Sequence, residues 1–133
     1  MVLALDSNLK GLRLLVVEDE ALIAFLIEDL VTSFGCVLAG TASNVNDALK
    51  LVETVPIDGA LLDMNLGGEM AAPVSQALSD KHIPLVLVTG YRTPALHGFP
   101  VLHKPFEPDD LKDAINQHLV PNGRADRLLR RRS

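Results

Sequence analysis

Five short apolar runs punctuate the chain, and four of them end in a polar residue. Leu14-Leu15-Val16-Val17 leads into Glu18-Asp19, Ala60-Leu61-Leu62 into Asp63, Leu85-Val86-Leu87-Val88 into Thr89, and Val101-Leu102-His103 into Lys104. Runs of this length and composition read as buried parallel strands. The pattern predicts strands at 13–17, 37–42, 59–64, 84–89 and 101–103. Between them the apolar spacing turns helical. Leu22, Phe25, Leu26, Leu30 and Phe34 predict a helix over 21–34 closed by Gly35. A second helix runs from a Ser43 or Asn44 cap to about 55, with Ala48, Leu49 and Val52 on its packed side, and Pro56 ends it. A third covers 72–81, with Pro73 in its first turn, and a last one covers 108–119, opened by Pro108 or Asp109.

Strands alternating with helices imply right-handed βαβ units and a doubly wound α/β fold, a parallel five-stranded sheet with helices on both faces. One connection is too thin for a full helix. Only eight residues separate Tyr91 from Pro100, and they include Pro94 and Gly98, so the fourth helix is expected to be shortened or missing. In open α/β sheets ligands bind in the crevice outside the carboxyl ends of the strands. That is where Glu18, Asp19, Asp63, Thr89 and Lys104 fall.

At 133 residues the chain is one domain, and with 48% hydrophobic but only 4% aromatic residues its core is aliphatic. No apolar run is long enough to cross a bilayer, and residues 1–10, interrupted by Asp6, make a poor signal peptide. The expectation is a cytoplasmic protein with a leader over 1–10, a domain over 11–120 and a basic tail over 121–133. Lone Cys36 has no partner for an internal disulfide. Net charge is −5, yet residues 124–133 hold Arg124, Arg127, Arg130, Arg131 and Arg132 against Asp126. That +4 leaves −9 on the rest of the chain, a balance that argues against DNA binding by the folded domain.

Converging carboxylates repel strongly: two charges at about 4 Å cost on the order of 4 kcal/mol at an effective dielectric of 20. Either a proton is shared or a divalent cation neutralises the group. All-oxygen donors suit Mg²⁺, and no His/Cys cluster argues for zinc. Lys104 and Thr89 can together bind the anionic oxygens of a phosphoryl group carried by a carboxylate. Asp63, alone at its strand end and followed by Asn65-Leu66-Gly67-Gly68, is the best acceptor. The metal would be held by Asp19, Asp63 and the backbone carbonyl of Asn65, supported by Glu18 or Glu20.

These residues, in this order and each on its own strand end, resemble a two-component response-regulator receiver domain over roughly residues 10–120. The matching stretches are Val17-Glu18-Asp19-Glu20, Leu62-Asp63-Met64-Asn65, Val88-Thr89-Gly90 and Lys104-Pro105-Phe106. The resemblance implies a flavodoxin-like sheet of order 2-1-3-4-5. It also implies Mg²⁺-dependent phosphoryl transfer to Asp63 from a sensor histidine kinase or histidine phosphotransfer protein, with Thr89 and Lys104 reorienting afterwards. The Lys104-Pro105 bond is usually cis in such domains.

The chain departs from the usual receiver at three places. Gly67 stands where most have Pro, Val101 where most have an aromatic switch residue, and the fourth helix is cut short. Leu87-Val88-Thr89-Gly90-Tyr91 is similar to the Phe-Ala-Thr-Gly-type motif of an alphaproteobacterial receiver subgroup. Tyr91 then either replaces the aromatic switch or packs over the loop, and its bulk near the phosphoryl group implies slow autodephosphorylation. With no room after Leu119 for an output domain, the expected role is a stand-alone phosphoacceptor. It would signal by binding a downstream protein or serve as a phosphate sink or shuttle, and would not be an enzyme acting on other substrates. Two alternatives remain at this point: a small Mg²⁺-dependent phosphohydrolase of the haloacid-dehalogenase type, and a binding module that works without phosphate.

Overall fold

The computed structural model describes residues 8–66, 69–90 and 98–121, with the backbone alone at 65, 66, 69 and 70. Five strands, β1 (Arg13–Val17), β2 (Val37–Ala42), β3 (Gly59–Asp63), β4 (Leu85–Thr89) and β5 (Val101–His103), form one sheet of order β2-β1-β3-β4-β5. Every neighbouring pair is parallel. The expected strand order and parallel pairing are therefore present. Four helices lie among the described residues: α1 (Ala21–Ser33), α2 (Val45–Thr54), α3 (Ala72–Asp80) and α4 (Pro108–His118). A short antiparallel ribbon, Asn65–Leu66 against Glu69–Met70, follows β3. The Gly67-Gly68 turn, Tyr91, the expected shortening of the helix between β4 and β5, and the arginines of 124–133 lie outside the described residues.

The sheet divides two cores by the alternation of its strands. Leu15, Val17, Ala60, Leu62, Leu85 and Leu87 face α2 and α3. Leu14, Val16, Leu61, Val86 and Val88 face α1 and α4, where Ile27, Val31, Leu111 and Ile115 meet them. Leu9 is fully buried in this second core, which therefore begins within the first ten residues.

The helix boundaries have local causes. Gly35 takes φ +96° just past α1 and donates its N–H to the Thr32 carbonyl, a left-handed exit that favours glycine. Asn44 caps α2: its side-chain oxygen accepts from the Asp47 N–H at 2.9 Å, and its amide donates to the Asp47 carboxylate at 3.0 Å. Glu107 and Asp110 form a reciprocal capping box that opens α4. In α1 the helical period is as expected, but the packed stripe is Ile27 and Val31, with Ile23, Leu30 and Phe34 partly covered, while Leu22, Phe25 and Leu26 face outward. No described helix is long and apolar enough to cross a membrane.

Candidate functional site

Register carries the site. Val17 of β1 pairs with Leu62 of β3, Asp63 of β3 with Val88 of β4, and Thr89 of β4 with His103 of β5. All four strands thus reach their carboxyl ends at one level. Backbone bonds extend the sheet one step further: Glu18 donates to the Ala42 carbonyl at 2.9 Å and Lys104 to the Thr89 carbonyl at 2.8 Å. Continuing the alternation, Glu18, Asp63 and Lys104 all follow residues of the α1/α4 face, whereas Thr89 follows the α2/α3 face. Three of the five expected groups therefore meet on one side.

Lys104 is the centre of that meeting. Its ammonium lies 2.7 Å from Glu18 Oε1 and 3.9 Å from Asp63 Oδ2. Glu18 is 3% exposed, and its other oxygen accepts the Glu20 backbone N–H at 3.2 Å. Asp63 and Thr89 are also buried, at 7% and 2%. Burial of Lys104 by itself disfavours its charge. The Glu18 hydrogen bond and the charges of Asp63, Glu18 and Glu20 outweigh that, and the ammonium is held above its ordinary range. The Lys104-Pro105 peptide is cis.

Glu18, Asp19 and Glu20 each offer one carboxylate oxygen, and the three lie within 4.8 Å of one another. This is a hard, all-oxygen donor set of the kind Mg²⁺ takes. Glu18 is buried, while Asp19 and Glu20 are exposed, so the set opens to solvent on the side an ion would enter. Asp63 adjoins this group through Lys104, and Asn65 follows two residues on, in the ribbon. A groove lined by Glu18, Asp19, Phe25, Glu28, Thr41 and Asp47 leads away from the cluster along α1.

Glu18, Asp19, Glu20, Asp63 and Lys104 thus come together with one unexpected pairing, while Thr89 ends β4 on the other face. Glu18 was expected only to support a metal, and it is also the tightest partner of Lys104. No register rule could have found this, because β3 and β4 stand between β1 and β5. Two long side chains span that gap. Tyr91, expected as a second switch residue, lies outside the described residues.

Comparison with known proteins agrees with this architecture. The family model described as the response regulator receiver domain matches residues 14–116. PhyR of Methylorubrum extorquens, a phyllosphere-induced regulator, is 30% identical over 115 residues, which cover 80% of this chain and 43% of that protein. The chain spans less than half the length of the first curated relatives it matches. Among solved structures, the response regulator PhyR from Brucella abortus superposes with a TM-score of 0.73 at 32% identity, covering 84% of this chain and 50% of that one. SdrG from Sphingomonas melonis Fr1 gives a TM-score of 0.71 at 40% identity, covering 80% of this chain and 94% of that one.

Proposed function

Because this chain belongs to the response regulator receiver domain family, we propose that Asp63 accepts a phosphoryl group from the phosphohistidine of a sensor histidine kinase or histidine phosphotransfer protein. The observation that carries the reading is the buried Asp63 carboxylate at the end of β3 with the Lys104 ammonium 3.9 Å away. An oxygen of Asp63 attacks phosphorus, the P–N bond to the donor imidazole breaks, and the imidazole takes up a proton from solvent. Phosphoryl transfer asks the protein mainly to position the groups and neutralise charge. Lys104 moves from Glu18 toward the new phosphoryl oxygens, and the Thr89 hydroxyl donates to one of them. Asp19, Asp63 and the Asn65 carbonyl, with Glu18 and Glu20 in support, would hold Mg²⁺, which supplies positive charge beside the transferring group when bound.

The phosphoryl group stays on Asp63, so the product is a modified protein and not a released one. It acts by binding a downstream protein in the phosphorylated state or by draining phosphate from a shared donor. The bulk of Tyr91, two residues beyond Thr89 in the sequence, would slow hydrolysis of the phosphoryl group, and Tyr91→Ala should shorten the lifetime of the phospho-protein.

The test is labelling with acetyl phosphate and Mg²⁺, read by intact mass. One added phosphate, absent from Asp63→Asn and from a reaction with chelator, supports the reading. No adduct on the unaltered chain, or an adduct that survives Asp63→Asn, overturns it. Multiple turnover of a phosphate ester without a stable adduct would indicate a phosphohydrolase instead.

A further inference from the structure

The outward face of α1 holds three of the four large hydrophobic side chains that are exposed among the described residues. Leu22 is 85% exposed, Phe25 68% and Leu26 48%. Spaced three and four apart, they share one face of the helix and form one patch. Carboxylates border it on both sides: Asp19 and Glu20 precede α1, and Glu28 and Asp29 follow the patch. Contiguous apolar surface with a charged rim marks a site that something covers.

We propose that the occupant is this chain's own residues 124–132, with Leu128 and Leu129 against Leu22, Phe25 and Leu26 and the flanking arginines on the acidic rim. Three observations favour that segment. Its composition is the complement of the patch: Leu128-Leu129 stands between Arg127 and Arg130-Arg131-Arg132, and residues 124–133 carry +4 against −9 elsewhere. Its origin is on the right side of the sheet, because α4 shares a core with α1 and Lys112 lies 5.9 Å over the Phe34 ring at the end of α1. Its reach is on the scale of α1 itself. The seven residues from Pro121 to Leu128 extend up to about 23 Å, whereas α1 is about 20 Å long.

A second apolar recess lies nearer to Pro121, a cavity of about 690 Å³ lined by His82, Ile83, Leu85, Phe99 and His118 among others. No carboxylate lines it, so it offers nothing to offset five arginines. Charge selects the α1 face. The contact does not depend on phosphorylation of Asp63.

The experiment uses the whole chain carrying a nitroxide on Leu129→Cys. Cys36, 5% exposed, stays unlabelled under native conditions, and intact mass verifies one label per chain. Amides of residues 22–29 should lose most of their intensity. They should recover when the nitroxide is reduced, and in part at high salt, because the rim contacts are screened. Leu22→Ser/Phe25→Ser, which alters only exposed side chains, should abolish the broadening. Unbroadened amides at 22–29, or broadening centred on 83–85 and 98–100, would overturn the proposal. Equal broadening of a ¹⁵N-labelled chain mixed with a separate spin-labelled chain would assign the contact to a second copy and overturn it as well.

Discussion

Glu18 and Lys104, 86 residues apart in the chain, close a hydrogen-bonded ion pair of 2.7 Å across the carboxyl end of the sheet. Asp63, the proposed phosphoryl acceptor, is only the second neighbour of the same ammonium, at 3.9 Å. Lys104 is therefore held away from Asp63 by an acid that also belongs to the three-carboxylate cluster.

Removing the cation should expose how much that pair stabilises the fold. In Lys104→Met the Glu18 carboxylate, with 1% of its side chain exposed, is left buried without its partner. Breaking a fully buried pair from one side costs about 3–5 kcal/mol. Lys104 keeps 19% side-chain exposure, and with that solvent screening about 2 kcal/mol is expected. The urea midpoint in metal-free buffer measures it. In a Glu18→Gln background the same substitution should cost much less. An equal cost in both backgrounds would show that the two side chains are energetically independent.

The same pair sets a dependence on alkaline pH. Lys104 is held above its ordinary 10.5 in the folded state. A raised cation contributes stability that is fully present below its unfolded value and is lost as pH rises through the folded one. The difference in unfolding free energy between the unaltered chain and Lys104→Met should thus be flat below about 10.5 and shrink above it. Titrating groups remote from Lys104 are common to both proteins and cancel in the difference. A difference that grows with alkaline pH would mean that the neighbouring acids do not hold the ammonium.

Much of this is legible in the residues alone. The strand ends were readable because apolar runs such as Leu85-Val86-Leu87-Val88 stop at one polar residue, and because parallel strands share a carboxyl edge. Helix limits followed from Asn44, Gly35 and Pro108, whose side chains or backbones force a boundary. The packed side of α1 was not legible. That helix is apolar nearly all round, so Leu22-Phe25-Leu26 and Ile23-Ile27-Val31 make equally good stripes, and only the tertiary contacts choose between them. Nor was the Glu18–Lys104 pair legible, since it joins strands that share no register.

A third buried carboxylate allows fold and function to be separated. Asp58, at the opposite end of the sheet, accepts the Arg13 backbone N–H at 2.9 Å and the Arg13 guanidinium at 3.4 Å. It is 7% exposed. Asp58→Ala deprives the Arg13 N–H of this acceptor, and about 2 kcal/mol of stability should be lost. Acetyl phosphate labelling of Asp63 below the melting transition should be unchanged, because Asp58 precedes β3 while Asp63 ends it. A stable variant that no longer labels would show that the two ends of β3 are coupled.

The acidic cluster makes a prediction whose sign reverses with metal. Glu18, Asp19 and Glu20 bring oxygens within 4.8 Å of one another, and that repulsion opposes folding when no cation is present. Asp19→Asn removes one charge, so in chelator the variant should melt slightly higher than the unaltered chain. Adding Mg²⁺ should reverse the order. A ligand that binds only the folded state stabilises it by about 2.7 kcal/mol at a hundredfold excess over Kd, and the variant lacks one of the donors. Thermal melts across a Mg²⁺ titration read both effects, with exposed Asp29→Asn on α1 as a control outside the cluster. If Asp19→Asn keeps the full Mg²⁺ shift, Asp19 is not a ligand, and the ion is held by the remaining carboxylates.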